Sequence, residues 1–127
     1  MDGNVEITKS APVTALFAYD PKFYDGMEEI NPGAPGLIKF FASSADVALD
    51  TATRNSTLQV AYFMLAARGV GLGCGPMSGF NNEAIEKEFF ADTSFKINFI
   101  CNLGYADGQN EHSRLPRWNF DQVCKII

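Results

Sequence analysis

The stretch of this sequence whose residue types best suit binding chemistry is Gly71–Phe80, which reads GLGCGPMSGF. Glycine alternates with other residues through most of it, so many backbone N–H groups are left without side-chain cover. Uncovered N–H groups attract anions, and the lack of side-chain bulk lets a flat ring approach the backbone closely. The stretch therefore predicts a binding site for a flat or anionic ligand.

The glycine spacing does not match the dinucleotide-binding fingerprint. Gly71, Gly73 and Gly75 follow the pattern G-x-G-x-G, whereas the fingerprint is G-x-G-x-x-G and connects a strand to a helix. A helix end followed by a tight turn would account for Gly69 and Gly71. It would not account for the GPMSGF sequence that follows at once.

The other residue types indicate little further chemistry. The cysteines, Cys74, Cys101 and Cys124, are odd in number and lack C-x-x-C spacing and a histidine cluster. A disulfide framework and a metal site are therefore not expected. We interpret Cys74 and Cys101 as packed thiols. No Ser/His/Asp or paired-carboxylate arrangement is evident, so no catalytic side chain is predicted.

Composition restricts the class of protein. The 127 residues are 46% hydrophobic and 13% aromatic, which is typical of a globular protein, and we expect residues 1–127 to form a single domain. The formal net charge of −5 argues against nucleic acid as a partner. Neither a signal-peptide core nor a membrane-spanning run is evident, which predicts a cytoplasmic protein without a membrane partner.

A long helical pattern over Ser43–Gly69 leads into the glycine-rich stretch. Ser43 and Asp46 have the spacing of a capping box, which predicts the start of this helix. The run Val60–Ala67, VAYFMLAA, is apolar on nearly every face and predicts a helix surrounded by protein.

The remaining segments predict a mixture of helices and strands. Pro12–Tyr19 is apolar on both alternating faces and is interpreted as an interior strand, and Phe95–Leu103 alternates as a strand does. Short helices are expected over residues 22–29 and 37–42, and Asn81 is expected to cap a helix over residues 82–90. The apolar tail Phe120–Ile127 must dock on this chain or on a partner.

Two segments together resemble the nitroreductase family. Cys74–Phe80, CGPMSGF, preceded by AARGVGL, resembles the family's flavin loop, and Ser113–Arg117, SRLPR, resembles its C-terminal phosphate-binding segment. The run RNSTLQVAYFMLAARGVGLGCGPMSGF, with Asn102–Tyr105 afterwards, is most similar to the subgroup named for malonic semialdehyde reduction. The resemblance implies an α+β fold in which helices pack on a mostly antiparallel sheet, assembled as a homodimer.

The resemblance also implies roles for individual residues. Pro76–Gly79 would follow the edge of the FMN ring, with the Ser78 backbone N–H near the ring nitrogen that accepts hydride. Arg114 would contact the FMN phosphate, His112 would assist when protonated, and Arg117 is a weaker phosphate candidate. The implied cofactor-binding residues are Gly75, Pro76, Met77, Ser78, Gly79, His112, Arg114 and Arg117.

The implied activity is hydride transfer from NAD(P)H through FMN to a small oxidised substrate, such as an aldehyde like malonic semialdehyde, a nitroaromatic or a quinone. The lack of a catalytic side chain agrees with flavin chemistry, in which the cofactor performs the redox step. Family members begin several dozen residues earlier, so we expect this sequence to be the C-terminal, N-terminally shortened portion of the family fold. Two alternatives stay open: a flavin-free, non-catalytic dimeric module, and a module that binds NAD without FMN.

Overall fold

The computed structural model describes residues 3–106, 108 and 113–127. Its strands are β1 Val13–Tyr19, β2 Gly73–Met77 and β3 Lys96–Gly104. Its α-helices are α1 Gly3–Ser10, α2 Met27–Ile30, α3 Gly36–Ala42, α4 Ala45–Gly69, α5 Asn82–Phe89 and α6 Phe120–Val123, and a short 3-10 helix spans Phe23–Gly26. Helices combined with an antiparallel sheet confirm the predicted α+β class.

The sheet has the order β1-β3-β2, and β3 pairs antiparallel with both neighbours. The prediction that Pro12–Tyr19 is an interior strand is wrong in this sheet, because β1 lies at one of its edges. Apolar side chains on both faces of a strand indicate that both faces of the sheet are covered. They do not indicate whether the strand has one neighbouring strand or two.

A β-bulge interrupts the pairing of β1 with β3. The register passes from Phe17 opposite Phe99 to Ala18 opposite Ile97, so Asn98 has no partner across the ladder. An extra residue shifts the alternation of side chains along a strand. The predicted common face for Ile97, Phe99 and Cys101 is therefore not maintained through this point.

Helix α4 crosses one face of the sheet and contacts all three strands. Its N-cap is Ser44, whose side chain accepts a hydrogen bond from the Val47 N–H at 3.5 Å. The predicted cap, Ser43, instead donates its hydroxyl to the Phe40 carbonyl at 2.7 Å, so the helix starts later than expected. Gly71 adopts a φ of 91° beyond the end of the helix, which confirms it as the stop.

The opposite face of the sheet is covered by α1 and α5. Asn102 of β3 reaches the Ile7 carbonyl of α1, and Glu86 of α5 accepts from the Ile97 N–H of β3 at 3.1 Å. Glu86 also pairs with Lys96 at 2.8 Å, and this hydrogen bond, together with the bond from Ile97, lowers the pKa of the Glu86 carboxyl. Helix α1 was not predicted from its polar sequence, whereas Asn81 caps α5 as expected.

The apolar run Val60–Ala67 is covered on only one side. Val60 and Ala67 are buried, but Tyr62 and Leu65 are 75% and 69% exposed. The prediction that protein surrounds this run is therefore wrong for the single chain. The described helices include none that is both long and apolar enough to cross a membrane.

Gly104 gives a direct test of the contact between the end of β3 and the start of β1. A Cβ added at Gly104 would lie 2.8 Å from Cδ and 3.0 Å from Cγ of Pro12. We expect Gly104→Ala to lower the free energy of unfolding by about 1–3 kcal/mol, because the rigid proline ring cannot move aside easily. Urea unfolding followed by circular dichroism measures this difference.

Gly36→Ala is the matched control for Gly104→Ala. Nothing lies within 4 Å of a Cβ added at Gly36, at the start of α3. Since alanine favours a helix over glycine, this variant should be as stable as the native chain or more stable. Equal stability of both variants would contradict the predicted contact.

Candidate functional site

Part of the predicted glycine-rich loop is a strand. Gly73–Met77 forms β2, in which Gly75 lies opposite Asn102, Pro76 opposite Cys101 and Met77 opposite Ile100. Proline is tolerated here because β2 is an edge strand. The prediction of a loop over the whole of Gly71–Phe80 is therefore wrong for its central residues.

The close approach of the β2 and β3 backbones is enough to explain the glycine at position 73, and no bound ligand is needed to account for it. A Cβ added at Gly73 would lie 3.2 Å from the Gly104 carbonyl oxygen, which is tighter than an ordinary contact. At Gly75 the nearest atom would be the Asn102 Cβ at 3.6 Å, an ordinary distance. The packing of β2 on β3 thus requires a small residue at position 73 but not at position 75.

Ser78 follows the end of the ladder between β2 and β3. The last pair is Met77 with Ile100, and among the described residues the Ser78 N–H donates to no protein acceptor. Pro76, Met77 and Ser78 line a cleft of about 270 Å³, whose other wall is formed by Asn98 and Phe99. The cleft is therefore lined by apolar side chains, by Ser78 and by one side-chain amide residue, Asn98.

Asn98 was not predicted as a site residue. Its Nδ2 lies 3.2 Å from the Ser56 Oγ and 3.0 Å from the Thr57 Oγ1, both on α4. The sequence shows it only as a polar residue on an alternating strand, and the bulge that sets its direction depends on pairing with β1. No local signal in the sequence could have identified it.

Helix α1 contacts the other end of the predicted flavin loop. The Asn4 Nδ2 donates to the Gly79 carbonyl at 3.4 Å. Gly79 also belongs to the lining of a second cleft, of about 380 Å³, between α1 and the start of α5. Lys9 contributes a cation to this cleft and pairs with Glu6 at 3.2 Å. The sequence prediction missed this wall because it assigned no helix to these residues.

A satisfied polar network lies behind Gly75. The Thr14 hydroxyl donates to the Asn102 Oδ1 at 2.8 Å, and the Asn102 Nδ2 donates to the Ile7 carbonyl at 3.2 Å. Asn102 is buried, and its hydrogen bonds offset the cost of removing its amide from water. They fix β1, β3 and α1 to one another at this point.

The two cysteines near the cleft are packed, as the sequence predicted. Cys101 is fully buried, and burial, followed by the neighbouring Cys74, raises the pKa of its thiol. Cys74 is half-buried, with its Sγ 3.8 Å from the Met64 carbonyl oxygen of α4. A buried thiol with a raised pKa remains protonated at neutral pH and is a poor nucleophile.

The predicted phosphate-binding residues are not brought to the cleft within the described residues. Arg114 is exposed, and no described hydrogen bond or salt bridge joins it to Gly75–Gly79. Arg117 is exposed and donates its Nη1 to the carbonyls of Leu115 at 2.9 Å and Pro116 at 3.2 Å. His112 lies outside the described residues. Over the ranges described, no group of three or more His, Cys, Asp or Glu residues is placed to hold a metal ion.

Solved structures define the class of fold. A candidate nitroreductase of Bacillus subtilis, YdfN, matches with a TM-score of 0.85 at 21% identity, over 99% of this chain and 68% of that chain. A nitroreductase family protein of Streptococcus pneumoniae gives 0.83 at 21%, over 98% and 69%. A candidate nitroreductase of Exiguobacterium sibiricum in complex with FMN gives 0.73 at 18%, over 94% and 64%. The fold is therefore nitroreductase-like.

Sequence comparison identifies the family. The nitroreductase family pattern matches residues 2–105, which is most of the chain. A candidate NADH dehydrogenase/NAD(P)H nitroreductase of Cupriavidus pinatubonensis is 48% identical over 126 residues, covering 98% of this chain. The HadB protein of Ralstonia pickettii, with the same description, is 47% identical over 125 residues, covering 97%. The chain belongs to the nitroreductase family, and it spans 64% of the length of each of these two relatives.

Proposed function

We propose that this protein is an FMN-dependent oxidoreductase that uses NAD(P)H to reduce a small oxidised substrate, with residues 1–127 acting as one domain. The observation that carries the proposal is Ser78, whose N–H has no described protein acceptor and which lines one cleft together with Pro76 and Met77. The resemblance to family flavin loops and the FMN held by the Exiguobacterium protein support the same assignment.

The cleft fits the edge of a planar ring. Pro76 and Met77 offer apolar contact, and the Ser78 N–H is free of any described protein acceptor, so it can donate to a ring nitrogen. FMN supplies the redox chemistry when it is bound, while the protein supplies position and electrostatics. A protonated Cys101 agrees with this division, because the buried thiol opposite Pro76 is then not a reactive group.

The phosphate group of FMN requires cationic side chains close to the cleft that holds the ring. In this proposal Arg114 provides the main contact and a protonated His112 assists it. Arg117 contributes less, because its Nη1 already donates to the carbonyls of Leu115 and Pro116. A charge-assisted hydrogen bond to phosphate is stronger than a neutral one, so the loss of Arg114 should be the more damaging.

The names of the relatives support one class of substrate. The Cupriavidus and Ralstonia proteins are both described as candidate NAD(P)H nitroreductases, which favours a nitroaromatic among the oxidised substrates. A quinone and an aldehyde such as malonic semialdehyde undergo the same net two-electron reduction. NADH and NADPH are both compatible with the site as described.

We also propose that the protein is a homodimer. The exposed side of α4 carries large apolar residues, and so does the tail Phe120–Ile127, where Ile126 is 86% exposed. Apolar surface on this scale is typical of an interaction surface. A two-fold interface would cover both regions with a second copy of the same chain.

The dimer can be tested by sedimentation equilibrium at micromolar concentration. We expect the mass of two chains, and we expect Leu65→Lys to shift the population towards monomer, because it places a charge on the exposed face of α4. Val5→Lys on α1, which is also an exposed apolar residue, is the control and should leave the mass unchanged. A native chain that sediments as a monomer would refute the proposal.

The flavin assignment can be tested by titrating the protein with FMN and following flavin fluorescence. We expect saturable binding of FMN and bleaching of bound FMN by NAD(P)H. Arg114→Ala should weaken FMN binding by about 10- to 150-fold, which corresponds to roughly 1.5–3 kcal/mol for one charge-assisted hydrogen bond. Arg117→Ala, the matched control, should have a smaller effect.

The outcomes of the FMN titration separate the alternatives. No FMN binding by the native chain would favour the flavin-free dimeric module. Binding of NAD without FMN would favour the nucleotide-binding module. If both arginine substitutions had equal and negligible effects in protein that binds FMN, the assignment of Arg114 to the phosphate site would be wrong.

The role of Ser78 can be tested by separating its hydroxyl from its N–H. Ser78→Ala keeps the N–H, so the rate of FMN reduction by NAD(P)H should stay within a few-fold of the native rate. Ser78→Pro removes the N–H and should be severely damaging. Because Ser78 lies beyond the last ladder pair, Met77 with Ile100, the proline removes no hydrogen bond of the sheet.

Circular dichroism and urea unfolding would confirm that both Ser78 variants are folded. If Ser78→Ala proved as harmful as Ser78→Pro in folded protein, the hydroxyl would be the functional group, and the backbone role would be wrong.

A further inference from the structure

A cleft of about 410 Å³ lies between the middle of α4 and the segment that runs from the end of β1 through the 3-10 helix, α2 and α3. Its volume is within the range of about 300–1,000 Å³ that is usual for small-molecule sites. We call it the aromatic cleft, because Tyr19, Phe23 and Phe41 line it. It shares no lining residue with the cleft beside Pro76–Ser78.

The aromatic rings of this cleft are fixed by their packing on one another. Phe41 is buried, and its ring meets that of Phe23 edge to face, with the centroids 4.9 Å apart and an angle of 64° between the planes. The face of an aromatic ring carries partial negative charge and attracts cations. Met27 and Leu37 also line the cleft and add apolar surface. The lining therefore suits a ligand that combines positive charge with apolar groups.

Asp20 is the one charged residue among the described residues that line the aromatic cleft. Its Oδ1 accepts hydrogen bonds from the Lys22 backbone N–H at 2.9 Å and from the Ser94 hydroxyl at 2.7 Å. Both donors are neutral groups, and over the described ranges no salt bridge includes Asp20. The carboxylate is therefore held in place by two hydrogen bonds, while its charge has no described counter-ion.

The combination of rings and an uncompensated carboxylate restricts the class of ligand. A hydrated inorganic cation could pair with Asp20 but would gain little from the apolar side chains. A neutral apolar molecule could contact Phe23 and Phe41 but would leave the carboxylate without a counter-ion. An ammonium group with alkyl substituents meets both requirements, because its charge is spread over carbon atoms that can pack against aromatic faces.

We propose that the aromatic cleft binds a small organic cation with an alkylated ammonium group. In this proposal Phe23 and Phe41 contact the alkyl groups, and Asp20 supplies the opposite charge. The inference goes beyond the proposed function and does not depend on it, since it requires neither FMN nor NAD(P)H.

The test uses choline and its neutral isostere 3,3-dimethylbutan-1-ol, in which a carbon atom replaces the ammonium nitrogen. Both are titrated into the native protein by isothermal calorimetry at about 0.15 M salt, where distant surface charges are largely screened. We expect choline to bind about 5- to 30-fold more tightly than the isostere, as cation–π contacts allow. Equal affinities, or no binding of choline, would show that the inference is wrong.

Asp20→Asn separates the charge from the hydrogen bonds. The amide keeps an oxygen that can accept from the Lys22 N–H and the Ser94 hydroxyl, so the fold should be retained. We expect choline binding to weaken by about 2- to 5-fold, as for a partly exposed ion pair, and binding of the isostere to stay the same. Glu28→Gln is the matched control, because Glu28 is an exposed acid of α2 outside the lining. It should leave both affinities unchanged.

Phe23→Leu tests the ring and keeps an apolar side chain. It should weaken choline binding by about 2- to 30-fold and reduce the preference for choline over the isostere. Circular dichroism checks the fold of each variant, and if Phe23→Leu did not fold, Asp20→Asn would decide the outcome. If Glu28→Gln weakened choline binding as much as Asp20→Asn did, general surface charge would be the cause, and the assignment to the aromatic cleft would be wrong.

Discussion

The pairing of β2 with β3 is the constraint on which the rest of the candidate site depends. Gly71 ends α4 in a left-handed conformation, and the chain then enters the edge of the sheet, where Gly73 lies close to the Gly104 carbonyl. The ladder stops at Met77. The next residue, Ser78, is therefore positioned by the sheet, but its N–H makes no hydrogen bond within the ladder. A glycine-rich segment with no such pairing would offer the same N–H group but would not hold it in place.

Two asparagines of β3 differ in how their side-chain amides are hydrogen-bonded. Asn102 is buried, and both ends of its amide are bonded within the protein, to the Thr14 hydroxyl and the Ile7 carbonyl. Asn98 is only half-buried, and its described hydrogen bonds use the Nδ2 alone. An amide satisfied at both ends stabilises the fold.

The sequence predicted the elements whose signals are local and missed those that depend on distant residues. The long helix, the Gly71 stop and the Asn81 cap follow from residues a few positions apart. Strand β2 was missed because glycine and proline disfavour strands, and its pairing with β3 joins distant parts of the chain. The direction of Asn98 depends on a bulge against β1, some 80 residues earlier by their positions in the sequence. The apolar run Val60–Ala67 predicted a helix surrounded by protein, but Tyr62 and Leu65 are exposed in the single chain. The pattern shows which side chains are apolar and does not show which of them the fold covers.

In the proposed dimer, cover for the apolar surface and placement of the proposed phosphate contact are linked, because Arg114 lies a few residues before the apolar tail. Leu115, Trp118 and Phe120 are exposed and follow Arg114 closely in the sequence, so docking of these side chains would restrict the positions open to Arg114. Burying such side chains stabilises an assembly by about 1.5–3 kcal/mol each, so a few of them offset much of the estimated 4–15 kcal/mol cost of association. In the proposed dimer, apolar packing therefore supplies the free energy, and the arginine needs to contribute only the charge. FMN binding and subunit association would then stabilise each other, since a ligand that contacts the docked tail favours the docked state.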